Sequence, residues 1–411
     1  MRFTAKITAL SYEGSGIGPI VAPPGEHVGR KVLVPGTIPG EAIELEADPS
    51  AHEGGLLPGS LVSISSPHAA RRIPPCRYVT RCGGCSLQHV EITTQRAEKI
   101  RMVESLFLTQ AKLAPNTGFS MIGGELPEFN YRNRIHLHLN KAGELGFYRG
   151  GTGDVVDIEN CMLAEEELNA ALAQVRSIAK EIAARVAAVK IERRERGVTI
   201  LLKPRTRGGS LSGELLKVSR LGLHALHDEH RETATEDSGA GHFSQVNSKA
   251  NEVLTRYVVD QFNDSTTKLG ITEFYAGAGN FSLPLAQVGH TITAVELDSN
   301  LTRAGAARAV AAGLGEQINF ITQSCEHFCK QSKIAPLVLL DPPRAGARIV
   351  AEALDPKSTK KIIYVSCNPA TLLRDVRTLT LAGFTLEHIA VLDMFSQTAH
   401  VESVATLTVK T

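Results

Sequence analysis

Residues 361–375 read KIIYVSCNPATLLRD, and the rest of the chain can be arranged around them. Ile362, Ile363, Tyr364 and Val365 form an unbroken apolar, β-favouring run, which predicts a short buried strand over 361–366. Asn368-Pro369 punctuates it, and Pro369 stands where a first helical turn can begin. Cys367 therefore falls at the carboxyl end of a parallel strand, just ahead of a helix amino terminus. Ligands of open α/β sheets bind beyond that end of the strands, and a helix amino terminus lowers a thiol's pKa. A lone cysteine is more often an inert core residue. The junction favours a nucleophile, and the neighbouring motifs have to decide.

Around this stretch the pattern alternates strand and helix from residue 270 onward, the signature of a doubly wound sheet. A strand over 271–275 runs into Ala-Gly-Ala-Gly-Asn280 and a helix over 281–288. A strand over 291–295 ends at Glu296, and a helix over 299–313 follows. Further strands cover 318–322 and 337–340, the second ending in Asp341-Pro-Pro-Arg-Ala-Gly346. Runs 386–393 and 401–409 are expected as an antiparallel pair capping the sheet.

Gly277-Ala-Gly279 after a strand lacks the third glycine of the dinucleotide fingerprint and is a weak signal by itself. Glu296 adds weight, because it lies about 20 residues on, where a carboxylate holds a ribose diol. There is no P-loop lysine, so a nucleoside triphosphate is disfavoured. S-adenosylmethionine needs no pyrophosphate cradle and suits the two-glycine turn. The bland alternative is an ordinary strand–helix turn with a surface glutamate. Asp341, Cys367 and Glu402 all fall at or beside core strand ends. A thiolate beside a carboxylate is what methylation at C5 of a pyrimidine requires. Thiolate addition at C6 makes C5 nucleophilic, and a base, here Glu402, then strips the C5 proton so that the thiol can leave.

The 411 residues suggest two or three domains, and with 43% hydrophobic residues the chain can bury ample core. Net charge is +1, so any nucleic-acid surface must be a local patch. No signal peptide or membrane-spanning run is expected, and seven cysteines without secretion signals point to the cytoplasm. Residues 1–65 read as short strands between Gly- and Pro-bearing turns, fitting a five-stranded barrel of the oligonucleotide-binding type. Cys76, Cys82 and Cys85, spaced C-x5-C-x2-C, need a fourth soft ligand, for which Cys161 is the nearby candidate. Four thiolates suit tetrahedral zinc or an iron–sulfur cluster. Three clustered cysteines plus a remote one favour the cluster. Residues 93–109 are helical by period. Arg132 and Arg134 open a β-rich block and read as phosphate or base contacts, or as a solvated strand edge. Residues 162–188 are helical, and 190–209 a basic strand pair. Residues 226–241 are polar and unpatterned, a loop or hinge, before a helix running through Asn247 to about 262.

FYAGAGNFSLPLA, LLDPPRAGA, IIYVSCNPATLLRD and DMFSQTAHVESVA resemble the RNA uracil-5-methyltransferases. CRYVTRCGGCSLQH with Cys161 resembles the members that carry a [4Fe-4S] cluster, and the opening β-module is similar to the TRAM domain of those acting on ribosomal RNA. The resemblance implies a barrel over 1–66, a central iron–sulfur and RNA-binding domain over 67–240, and a Rossmann-like methyltransferase domain over 241–411. Helix 93–110 is a candidate to pack on that last domain. It implies Cys367 as nucleophile, Glu402 as base, and Cys76, Cys82, Cys85 and Cys161 as cluster ligands. Gln245, Tyr275, Asn280, Glu296 and Asp341 match cofactor-binding positions, with Asp341 also turned to the uracil. Ser324 stands where an Asp or Asn usually meets the adenine, and Arg308 where an Asn is common. The expected activity is methylation of C5 of a uridine by a monomer, in 23S ribosomal RNA before transfer RNA. A non-catalytic RNA-binding protein or chaperone is the alternative. The cytosine-5 enzymes carry their thiol in a Pro-Cys or Thr-Cys context, unlike Ser366-Cys367.

Overall fold

A computed structural model describes residues 1–51, 55–194, 197–228, 245–263 and 269–409. The expected hinge over 226–241 lies outside them from residue 229 on, as do residues 242–244 just before Gln245.

Alternation of apolar and polar residues builds the amino-terminal barrel. Strands Arg2–Lys6, Gly16–Ala22, Lys31–Val34, Ala42–Ala47 and Leu57–Ser66 pair in a ring, with the short Ala9–Leu10 strand added to Gly16–Ala22. Successive side chains of a strand face opposite sides, so Phe3, Ala5, Ile20, Val32, Val34, Ile43 and Leu45 converge inside.

The same period of two organises the central sheet. It runs Val155–Asp157, Leu145–Tyr148, Arg134–Leu139, Val186–Arg194, Gly197–Pro204, His224–His227. Ile135, Leu137, Leu139, Val189, Ile191, Ile200 and Leu202 pack with Leu168, Leu172 and Val175 of helix Glu166–Ser177. Helix ends at Ile182, and the β-branched run from Val186 enters the sheet, so the expected helix over 162–188 is two shorter ones and a strand start.

The carboxyl-terminal sheet has eight strands in the order Ile318–Thr322, Ile292–Glu296, Ile271–Phe274, Leu337–Leu340, Lys361–Ser366, Glu402–Val409, Phe384–Leu392, Phe119–Ile122. The first five are parallel. Ile271–Phe274, Leu337–Leu340 and Lys361–Ser366 are buried on both faces, as their largely apolar runs require, whereas the edge strand Ile318–Thr322 leaves Asn319 and Thr322 exposed. Strand order reverses between Ile271–Phe274 and Leu337–Leu340, and that crevice is where ligands of such sheets bind. Two expectations change. Glu402–Val409 does not cap the edge with its neighbour; it inserts antiparallel between Lys361–Ser366 and Phe384–Leu392. The edge is Phe119–Ile122, parallel to Phe384–Leu392. That strand follows helix Ile92–Glu104, whose Met102 and Val103 join Tyr364, Leu372 and Leu386 in one core. Residues 92–122 thus pack with this sheet. For helix 93–110 the sequence leaves that open, but strand Phe119–Ile122, which it groups with 67–240, is not expected there.

Candidate active site

Cys367 stands one residue beyond strand Lys361–Ser366. The Asn368 side chain caps the next helix by accepting from the Ala370 N–H at 3.1 Å, and Pro369 opens its first turn. Asn368 Nδ2 also donates to the Arg344 carbonyl at 3.1 Å, which ties this junction to the Asp341-Pro-Pro-Arg turn. Ser366 pairs with Ser403 in the antiparallel ladder. Cys367 follows and Glu402 precedes that last pair, and the two come near enough for the Glu402 charge to act on the thiol. Asp341 closes the group at the end of the neighbouring strand, whose Leu340 pairs with Tyr364.

Glu402 is 5% exposed, and burial with the Asp341 charge raises its carboxyl well above the ordinary range. Burial raises the Asp341 carboxyl to about 7. The thiol departs from expectation. Its helix amino terminus should lower the Cys367 pKa, but burial, then Glu402 and Asp341, raise it, opposed by Arg344. Desolvation and two carboxyls outweigh one helix end.

The glycine turn lies one strand away. Tyr275, Gly277 and Gly279 have φ of 62°, 55° and 82°, so the chain here is left-handed at alternate residues. A Cβ on Gly277 would meet nothing within 4 Å, whereas one on Gly279 would come 2.5 Å from Leu283 Cδ1. The first glycine exposes backbone to a ligand; the second lets the helix pack. Glu296 accepts from the Gly277 N–H and the Asp298 N–H, both at 2.9 Å, which fixes the carboxylate against the turn with lone pairs to spare for a diol. Arg308 donates to the Ala278 carbonyl at 2.9 Å, so the unexpected residue braces the same turn. Asn280 pairs reciprocally with Asn251 at 2.9 and 3.1 Å, its amide spent on helix Ser248–Phe262. Ser324 Oγ accepts from the His327 N–H at 3.2 Å, capping helix Cys325–Gln331. The Gln245 carbonyl accepts from Asn133 at 3.0 Å, at the join to the central sheet.

Sequence reasoning missed Glu273, which is 1% exposed beneath the turn and accepts from the Ser282 hydroxyl. Burial raises it to about 8. Its signal was an acid inside the apolar run ITEF. Lys99, Arg96 and Gln95 were missed too. These residues fall outside the apolar period that marked the helix, yet they are buried against the loop over 393–401 that delivers Glu402.

Cys76, Cys82 and Cys161 pack at the margin of the central core, and the charges of Cys76, Cys82 and Cys161 all act on Cys85. Every one of the seven cysteines is free of a disulfide. The Ala164 N–H is taken by the Cys161 carbonyl at 3.0 Å. Burial raises the pKa of both Cys82 and Cys161, and backbone N–H groups pull it down, Gly84 beside Cys82 and Leu163 and Ala164 beside Cys161. Backbone N–H groups beside sulfur suit thiolate ligands. Among the described residues no group of three or more His, Cys, Asp or Glu could hold a single metal ion. Arg132 bears on both Cys82 and Cys161 and leaves its Nε buried without a partner. Arg134 opens its strand opposite Glu192.

The model for the family described as tRNA (uracil-5-)-methyltransferase matches residues 155–410. The 23S rRNA (uracil(1939)-C(5))-methyltransferase RlmD of Neisseria lactamica is 30% identical, covering 98% of this chain and 94% of its own. That of Dechloromonas aromatica is 30% identical, covering 97% and 98%. The crystal structure of Pyrococcus abyssi tRNA (uracil-54, C5)-methyltransferase in complex with S-adenosyl-L-homocysteine superposes with a TM-score of 0.72. It does so at 20% identity over 99% of this chain and all of that one, a likeness of fold. No helix among the described residues is long and apolar enough to cross a membrane.

Proposed function

The chain belongs to the RNA uracil-5-methyltransferase family, and from that premise we propose that it methylates C5 of one uridine in 23S ribosomal RNA. Dependence on S-adenosylmethionine goes with the family. The observation that carries the reading is the meeting of Cys367, Glu402 and Asp341 at the ends of three adjacent strands. Cys367 sulfur, once ionised, adds to C6 of the uracil. When bound, S-adenosylmethionine supplies an electrophilic methyl group, which C5 takes. Glu402 then accepts the C5 proton, the C6–S bond breaks, and its electrons return to sulfur. Glu296, Gly277 and Gly279 are the best placed to hold the adenosine, with Tyr275 and Asp341 beside them and Gln245, at the join to the central sheet, as a further contact. Asn280 and Ser324 act through the turn and the helix they brace. The buried carboxyls Glu273, Asp341 and Glu402 favour a cationic cofactor, since a positive charge among them offsets the cost of ionising them.

Ribosomal RNA is preferred over transfer RNA because the RlmD relatives match from end to end. The target base must leave its stack to reach a thiol at a sheet edge. The barrel, the central sheet, Arg132 and Arg134 would contact the surrounding single-stranded loop. We take the enzyme to act as a monomer in the cytoplasm, where its RNA is. A [4Fe-4S] cluster on Cys76, Cys82, Cys85 and Cys161 is supported by the four thiols lying near enough to act on one another at the margin of one core. It would order its segment, as no step needs an electron. Iron and labile sulfide in anaerobically purified protein are expected; zinc alone would overturn the cluster. The function is tested by mapping 5-methyluridine in the 23S and transfer RNA of a deletion strain. Loss from one 23S site is expected, and loss from transfer RNA would reassign the substrate.

A further inference from the structure

The loop over 393–401 carries no secondary structure, yet it delivers Glu402 to the site and eight of its nine residues are buried or half-buried. Four successive carbonyls in it are each taken by a donor from outside the catalytic sheet. Asn247 Nδ2 donates to Met394 at 3.0 Å, Lys99 Nζ to Phe395 at 3.1 Å, and Tyr131 Oη to Ser396 at 3.0 Å. The Ser86 and Leu87 N–H groups both donate to Gln397 at 3.0 Å. Gln397 is the keystone. Its φ is 70°, uncommon for a residue with a side chain, and it is fully buried. Gln95 accepts from its N–H at 3.1 Å and donates to its Oε1 at 3.0 Å. Its Nε2 donates to Glu128 at 3.0 Å, and Arg72 bridges Glu128 and Gln397 at 2.8 and 3.3 Å. Polar groups this deeply buried are costly unless fully paired, and here each pairing fixes the loop to a different segment: 72–87, 95 or 128.

We propose that Gln397 is a positioning residue for the base: its side chain holds the loop in the one conformation that aims Glu402 at the C5 proton. It touches neither RNA nor cofactor and acts only on the step after methyl transfer. This rests on the reading of Glu402 as base.

The test is Gln397→Gly. Glycine accepts the positive φ freely and keeps the carbonyl for Ser86 and Leu87, so only the amide side chain is lost. A misplaced base slows proton removal by about 10- to 100-fold. Because the slowed step follows irreversible methyl transfer, we expect kcat and KM for RNA to fall together by up to that factor, with kcat/KM and the affinity for S-adenosylhomocysteine within about twofold of wild type. An RNA–protein adduct that survives denaturing gels should accumulate at steady state. Mere destabilisation would lower the melting temperature and build up no adduct. Glu402→Gln is run in parallel. If it traps no adduct, the base assignment fails and the proposal with it. If it does, and Gln397→Gly clears its adduct at the wild-type rate, the proposal alone is overturned. Should Gln397→Gly not fold, Glu128→Ala removes the acceptor of Gln397 Nε2 at a half-buried position. A smaller accumulation of adduct is expected there, and clearance at the wild-type rate overturns the proposal.

Discussion

Cys367 directly follows Ser366, and Glu402 directly precedes Ser403, its partner in the last pair of an antiparallel ladder. Two groups with 34 residues between them in the chain thus come near enough for the Glu402 carboxyl to add to burial in raising the thiol's pKa. The end of that ladder brings a sulfur and a carboxyl together at the mouth of the sheet. Removing the sulfur leaves the glycine turn and Glu296 untouched. Cys367→Ala should therefore abolish methyl transfer and adduct formation, with S-adenosylhomocysteine affinity within about twofold by calorimetry. Turnover in this variant would remove the covalent route.

Glu402→Gln keeps the shape of the side chain but takes away the base. Addition at C6 and methylation at C5 should still proceed, and elimination should stop. One equivalent of methyl group per enzyme is expected in an RNA adduct that resists denaturation. Normal turnover would hand the proton to another residue.

Much of the catalytic sheet could be read in the sequence because its runs are two-sided and apolar. Leu337–Leu340 and Lys361–Ser366 are buried along nearly their whole length, and such runs admit few other readings. The site residues at their ends followed from the turns. What escaped was non-local. Phe119–Ile122 has four residues between Gly118 and Gly123, too few for a period to show. The insertion of Glu402–Val409 inside the sheet depends on which edge is free, which spacing does not encode. Lys99 and Asp393 look like surface charges until the fold brings them together across 294 positions. The Cys367 thiol followed a local rule in the sequence, and its burial overrode it.

Lys99 and Asp393 have no exposed side-chain surface and pair at 2.5 Å, with Arg96 and the Ser396 hydroxyl as further partners of the carboxylate. Burial lowers the Lys99 pKa, while Asp393 raises it. Taking one partner from a buried pair leaves a charge without compensation, at a cost of about 3–5 kcal/mol. Arg96 remains, so Lys99→Met should fall near the lower end of that range. Lys99→Met with Asp393→Asn should recover part of the loss. Urea denaturation followed by near-ultraviolet circular dichroism reads both, and additive losses would mean that the two side chains are not coupled.

Asp341 and Glu273 supply the pH dependence. Burial raises their carboxyls to about 7 and about 8, against ordinary values of 3.8 and 4.5. Between the unfolded and folded values the native chain holds protons that the unfolded chain has released. Stability from these groups is thus fully present below about pH 4 and is lost as pH rises through about 7 to 8. Buried histidines work the other way at lower pH; His89, for one, is lowered to about 4. The clean quantity is therefore the difference between wild type and the pair Asp341→Asn, Glu273→Gln, whose melting temperature should fall less between pH 5 and pH 8. A cationic ligand favours the ionised carboxyls, so binding of S-adenosylmethionine should release protons near pH 7 and tighten as pH rises. S-adenosylhomocysteine has lost the sulfonium charge and should show a flatter profile. Calorimetry in buffers of different ionisation enthalpy counts the protons. Equal release by the two ligands would mean that these carboxyls do not sense the sulfonium.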